Sequence, residues 1–216
     1  MAQRPVFIPW PENGALVNEV PVEFTWHAGM AASQKKKNVV ALHDMAATHG
    51  LAPLLEISSK SEREIGRKLS AFNLKVDIYG RQTTLECAFQ GSKVFEDGGP
   101  FTDLYWVESR EAKRDTRLKE SGRLIGFVFE DTKFPLSPST AFYDWLYIRA
   151  LYPHRDWLTR LHKCAGFTDI EFNPNRSINC QARSCATFLA LQQRGELDKS
   201  ANSFAYFSNL LNRSHI

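Results

Sequence analysis

Glu86, Gln90 and Lys93 stand four and then three residues apart within residues 84–95, a stretch free of proline. If that stretch is helical, a turn of about 100° per residue brings the three within about 60° of one another. Leu85, Cys87, Ala88, Phe89, Gly91, Val94 and Phe95 fill most of the remaining circumference. A helix apolar almost all round is predicted to be buried. A buried carboxylate and a buried ammonium are costly unless they pair or line a cavity. The polar stripe is therefore either a structural ion pair or the floor of a site. Two turns separate Glu86 from Lys93, too far for a comfortable bridge along one helix, so each side chain is expected to point into a common hollow. A desolvated lysine loses its proton more readily, and its neutral amine is a nucleophile. A glutamate beside it can carry protons to and from the reacting group. Such a pair suits attack on the anomeric carbon of a sugar or on a carbonyl.

The rest of the chain narrows the alternatives by what it lacks. It has no Gly-x-Ser-x-Gly elbow, no His-Glu-x-x-His, no Walker loop and no dinucleotide-binding glycine fingerprint. The six histidines, His27, His43, His49, His154, His162 and His215, are dispersed without metal-ligand spacing. No metal and no cofactor is implied. Cys87, Cys164, Cys180 and Cys185 form no Cys-x-x-Cys pair, which fits a reducing cytoplasm better than a disulfide framework. No run approaches membrane-span length, and the start shows no apolar signal core, so a soluble cytoplasmic protein with no membrane partner is expected. The formal charge of +3 permits anionic partners without demanding a nucleic acid. At 216 residues with 43% hydrophobic content, one compact domain with an elaborated end is expected.

The elements that must position the stripe alternate strand and helix signals, which predicts an α+β, helix-rich fold. Residues 6–8 and 20–26 read as two strands of a hairpin turning across Glu12, Asn13 and Gly14. A helix capped by Ser33 follows to Gly50 and carries Lys35, Lys36 and Lys37, either a phosphate-facing patch or a solvated face. Residues 54–57 read as a strand. Ser58, Ser59, Lys60 and Ser61 then form either a phosphate-binding loop or an ordinary turn, with Ser61 opening a capping box for the next short helix. Residues 76–79 form a strand that turns at Gly80 and delivers the chain, by a polar lead-in over 80–83, to the central helix. That helix is expected to run about three turns to the Gly-Gly-Pro stop at Gly98, Gly99 and Pro100.

Beyond the stop, residues 109–118 read as a charged helix with Arg110, Lys113, Arg114 and Arg117, solvated or beside nucleic-acid phosphates. Residues 124–129 read as a strand and 134–138 as a loop. A densely aromatic helix over 141–151, capped by Ser139 or Thr140, offers Tyr143 or Trp145 for stacking on a base, though such density is ordinarily core. Further signals are a helix over 154–164, a strand over 167–172, and a last core helix to Gln192 or Gln193. Ser177 or Asn179 caps that helix, and free backbone N–H groups there would suit a phosphate. The tail from Gly195 reads as a docked helix.

Leu69-Ser70-Ala71-Phe72-Asn73, followed by Thr84-Leu85-Glu86-Cys87-Ala88-Phe89-Gln90-Gly91-Ser92-Lys93-Val94-Phe95, resembles the signature of the NADAR (YbiA-like) family. The resemblance spans about residues 54–191 and extends to Ser109-Arg110-Glu111-Ala112-Lys113-Arg114 and Ile178-Asn179-Cys180-Gln181-Ala182. It is nearest to NADAR antitoxins paired with DNA-ADP-ribosylating toxins. Where the family has Glu-His this chain has Glu86-Cys87, and Phe172-Asn173-Pro174 stands where the family has Trp-Gly. The resemblance implies a single NADAR-like domain: a core over 51–195, an N-terminal hairpin-plus-helix elaboration over 1–50 and a tail over 196–216.

The resemblance also implies an N-glycosidase that removes ADP-ribose from modified nucleobases, guanine in DNA foremost. Glu86 would move protons and Lys93 would capture the ribose as an imine. Asn73 and Gln90 would orient ribose hydroxyls, and Arg183 or Lys60 would meet the pyrophosphate. Ser70, Phe72, Phe89, Trp145 and Asn179 complete the implied substrate-binding set. The implied partners are ADP-ribosylated DNA and a cognate ADP-ribosyltransferase toxin. Two other functions fit the same residues: a glycosidase for a small phosphorylated N-glycoside of the riboflavin pathway, and a non-catalytic binder of ADP-ribose.

Overall fold

The computed structural model describes residues 1–12, 14–29, 31–175 and 177–213. Asn13, expected in the hairpin turn, and His215 lie outside the described residues. β1 (Ala2–Pro9) and β2 (Val17–Phe24) pair antiparallel along their whole length, from Ala2 opposite Phe24 to Pro9 opposite Val17. Both strands are longer than the expected 6–8 and 20–26. Polar residues within them pair as readily as apolar ones, because the hairpin's outer face is open to water. α1 (Ala32–Thr48) buries Asn38, Val39, Leu42 and Ala46 against this hairpin. Its N-cap is Ala31, with no capping side chain, so Ser33 lies inside the first turn instead of capping it. Lys36 and Lys37 are solvated, and Lys35 pairs with Glu171 at 3.8 Å.

β3 (Leu54–Glu56) is followed by α2 (Glu64–Lys68), which starts from Arg63 without a side-chain cap. The expected Ser61 capping box is absent, because Ser61 is buried against the turn that Gly66 occupies. β4 (Lys75–Ile78) pairs with β5 (Arg81–Thr84), so the polar lead-in is a strand, with Arg81 and Gln82 turned to water and Thr83 buried. Then comes α3 (Leu85–Gly91), every residue of it buried. The helix stops there. β6 (Lys93–Phe95) pairs antiparallel with β7 (Leu124–Phe129), which pairs in turn with β8 (Thr132–Phe134).

Between β6 and β7 the single charged helix expected over 109–118 is two short ones, α4 (Ser109–Arg114) and α5 (Arg117–Glu120). They part at Asp115, whose carboxylate accepts the Arg117 backbone N–H and its guanidinium, each at 2.9 Å. α6 (Ala141–Leu151) has the expected bounds but no capping side chain. The helix expected over 154–164 breaks into α7 (Arg155–Leu158) flanked by 3₁₀ turns, because only Leu158 and Leu161 face the core while Trp157 is exposed.

β9 (Gly166–Thr168) sits between β1 and β3, antiparallel to the first and parallel to the second, giving a four-stranded sheet in the order β2-β1-β9-β3. The N-terminal hairpin thereby extends the sheet of the core. α8 (Gln181–Gln193) follows from an N-cap at Cys180, so neither Ser177 nor Asn179 caps it. The tail forms α9 (Leu197–Asn202) and α10 (Phe204–Arg213), both packed near α6, the first burying Leu197 and Ala201 and the second Phe207 and Leu211. α3, α6 and α8 meet in one apolar core with Phe127, Phe129 and Phe134 of the small sheet.

Candidate active site

α3 is short because its two ends are tied to different things. At its start the Thr84 hydroxyl accepts the Cys87 N–H at 3.3 Å, and the Glu86 N–H bonds the Ala71 carbonyl at 2.9 Å. That last bond fixes α3 against the turn carrying Phe72 and Asn73. At its end the Ser92 hydroxyl donates back to the Ala88 carbonyl at 2.6 Å, while the Ser92 carbonyl accepts the Val128 N–H at 2.8 Å. The edge of β7 thus takes over the backbone, and Lys93 becomes the first residue of β6, opposite Phe127. Lys93 is therefore not on the helix with Glu86, as the 3.6-residue period predicted. Two close approaches hold this corner. A Cβ on Gly91 would lie 2.5 Å from the Tyr105 ring. A Cβ on Gly99 would collide with the Lys93 carbonyl, and Gly99 has φ +86° besides.

Despite the change of element, Glu86 and Lys93 open into the same cavity, of about 970 Å³. Glu86 is only 6% exposed. Its Oε1 accepts the Gln90 side-chain N–H at 2.9 Å and faces the Lys113 ammonium at 3.8 Å. Lys93 is half-buried, its ammonium 4.8 Å from the centre of the Phe89 ring. Burial pushes the Lys93 amine down to about 8. Glu86 opposes that shift and Lys113 adds to it. Two amide oxygens of the lining, Gln90 Oε1 and Asn179 Oδ1, are buried with no hydrogen-bond partner. Unpaired buried acceptors are rare, and a ligand's hydroxyl or N–H groups would satisfy these two.

Of the residues that the sequence nominated, Lys60, Phe72, Asn73, Glu86, Phe89, Gln90, Lys93 and Asn179 line this cavity. Ser70, Trp145 and Arg183 are not among its lining. Ser70 is fully buried beneath the turn, its hydroxyl accepting the Asn73 amide at 3.2 Å. Trp145 packs between Phe134 and Phe204 at ring distances of 5.1 and 5.7 Å. Arg183 points the other way, bonding Asp144 at 3.0 Å and Glu19 of β2 at 3.1 Å. A guanidinium so engaged is a structural clamp with no free fork for a pyrophosphate.

The cavity also collects Asp169 and Gln181, to which pattern reading assigned no site role, and one of the two aromatic residues that α6 offered for stacking. Tyr143, not Trp145, is the aromatic residue of α6 that reaches it, set edge-on to Phe89 at 5.0 Å. Burial, with the Glu86 charge behind it, holds the Tyr143 phenol protonated. Asp169 lines the opposite wall and is 7% exposed. Its carboxyl is raised by burial, against hydrogen bonds from Gln181 and the Glu171 N–H. Behind it Glu56 is raised too, by burial and by Asp169, while accepting from Ser58, Thr168 and the Ile170 N–H. Gln181 joins the walls, since its Oε1 accepts the Ala71 N–H at 2.7 Å. Asp169 sits in a stretch that reads as an ordinary strand, so nothing local marked it. The exposed Arg110, Lys113 and Arg114 of α4 bring positive charge to the cavity, against the exposed carboxylates of Glu108 and Glu171.

A half-buried amine with a lowered proton affinity, a buried glutamate, a protonated phenol and two unpaired acceptors in one hollow edged by the α4 cations suit nucleophilic work on a polar, anionic ligand. A family model described as "DarT1-associated NADAR antitoxin" matches residues 2–216. No curated protein matches the chain.

Proposed function

The chain belongs to the family of DarT1-associated NADAR antitoxins, and from that premise we propose that it is an N-glycosidase releasing ADP-ribose from modified nucleobases in DNA. The observation that carries this reading is the pairing of Lys93, its amine pushed down to about 8, with buried Glu86 in one cavity. The Lys93 nitrogen attacks the anomeric carbon of the adducted ribose. The glycosidic C–N bond breaks, and its electron pair leaves with the base, which takes up the proton that Glu86 accepts from the attacking nitrogen and passes on. Opening of the ribose ring, with loss of a proton from the nitrogen, leaves an imine. Water then adds to the imine carbon, the C–N bond to Lys93 breaks, and ADP-ribose departs. Gln90 and Asn73 orient ribose hydroxyls, Asn179 takes a further hydroxyl or N–H, and Lys60 and the α4 cations meet the pyrophosphate. Phe72, Phe89 and Tyr143 flank the sugar and the base. Guanine is the base proposed, and a toxin that makes the adduct is the proposed partner in the cell.

The volume of about 970 Å³ and the α4 cations at its edge favour a large anionic substrate over a small phosphorylated N-glycoside. An oligonucleotide carrying ADP-ribosyl-guanine is incubated with the protein, and free ADP-ribose and restored guanine are measured. Release by the wild type and none by Lys93→Ala is expected, with borohydride trapping a covalent protein–ribose adduct on Lys93. Binding of ADP-ribose without release would make the protein a reader. Full release by Lys93→Ala would remove the imine route.

A further inference from the structure

A second, smaller groove of about 390 Å³ lies outside the cavity just described. Its walls are Pro53, Ile65 and Leu161, and its rim carries Arg63, Arg160 and Lys163. None of these three cations belongs to a salt bridge among the described residues, and no carboxylate lines the groove. The nearest acid in sequence on α2, Glu64, is held by Lys68 at 2.8 Å. Trp157 forms one side and is 46% exposed, somewhat more than Trp10 and Trp106. The Arg160 guanidinium lies 4.1 Å over that ring and is pinned by its Nε–H donating to the Trp157 carbonyl at 2.8 Å. Unpaired cations around an ordered, exposed aromatic face are the parts of a surface that tracks a sugar–phosphate backbone and stacks a base.

The two hollows share one segment of chain. Lys60 lines the active cavity and Arg63 lines the groove, three residues later, within about 10 Å of extended chain. We propose that the Trp157–Arg160 groove binds the single-stranded DNA flanking a nucleotide held in the active cavity. The backbone phosphates lie against Arg63 and Lys163, and one base stacks on Trp157. This rests on the reading of the main cavity as a site for adducted DNA, but it is tested without catalysis. Cys164 lines the groove, 4.0 Å from Arg63, and is half-buried, whereas Cys87, Cys180 and Cys185 are buried. Its alkylation rate therefore reports occupancy of the groove.

Unmodified single-stranded DNA should slow alkylation of Cys164, and added salt should reverse that protection. ADP-ribose alone, duplex DNA and polyglutamate should protect weakly or not at all. Equal protection by ADP-ribose would make the groove a mononucleotide pocket. Equal protection by polyglutamate would make it a surface for acidic protein, and equal protection by duplex would remove base stacking; each overturns the proposal, as does no protection by any probe. The double variant Trp157→Ala/Arg160→Ala should bind single-stranded DNA about tenfold more weakly. Its release of ADP-ribose from an adducted mononucleoside should match the wild type. Unchanged DNA affinity in the folded double variant would also overturn the assignment. Loss of release in the wild type alone would count against the glycosidase and leave the groove standing.

Discussion

Two buried polar clusters hang from neighbouring helices of this core, and they are built to opposite ends. On α6 and α8, Asp144 is 1% exposed and accepts from Ser184 at 2.5 Å and from Arg183 at 3.0 Å. Arg183 also bonds Thr140 and Glu19, so the cluster bolts α8 to the start of α6 and to β2. On α3 and β6, Glu86 and Lys93 face an open hollow, and two amide oxygens around them have no partner. The first cluster spends its polar groups on one another; the second keeps them unspent. Burial of a charge is thus no mark of a site, whereas buried polarity left incomplete beside an empty volume is.

That contrast can be broken by substitution. Lys93→Ala should lower ADP-ribose release at least about a thousandfold with the thermal midpoint preserved, because the nucleophile is lost and no ion pair is broken. Arg183→Ala should do the reverse. It leaves Asp144 buried without its cation and should cost about 3 kcal/mol in denaturant unfolding, with turnover per folded molecule unchanged. If Arg183→Ala instead raises KM at constant stability, the clamp is a substrate contact and the distinction fails.

Finer tests follow from the Lys93 amine. The reactive form is neutral and the amine titrates at about 8, so release should rise about tenfold per pH unit below that point and level off above it. Lys113 pushes the amine down, so Lys113→Met should move the inflection to higher pH. A pH profile unmoved by that change would mean that Lys113 does not tune the amine. The smallest effect expected is on stability. Lys93→Met removes a partly desolvated cation and should stabilise the inactive protein on the order of 1 kcal/mol near neutral pH, since the unfolded lysine binds its proton more tightly there. That gain should fade as pH rises toward the ordinary lysine value.

Much of this was legible along the chain. The apolar circumference of residues 85–91 announced a buried helix, and all seven residues are buried. The bounds of α6 and β7 were readable because α6 is densely aromatic and aliphatic between Pro138 and Pro153, and β7 is a continuous apolar run. Glu86, Gln90, Lys93, Phe72 and Asn73 were named from local pattern and family resemblance, and they do share one cavity. Periodicity, however, carried the helix one turn too far. The hydrogen bonds that draw the chain out of the helix at Ser92 and into β6 at Lys93 come from β7, more than thirty residues on, and no local window holds them.

The sequence by itself determined which residues had to be buried and which of those were chemically able, since side-chain type and local period are properties of neighbouring residues. Tertiary structure alone decided which buried polar groups would be spent. It turned Arg183 onto Asp144 and packed Trp145 into the core, and it brought Tyr143, Asp169 and Gln181 to the walls of the hollow. Those outcomes depend on which partners the fold sets within a few ångströms, and hydrogen bonds and Coulomb attraction act at that range whatever the separation along the chain.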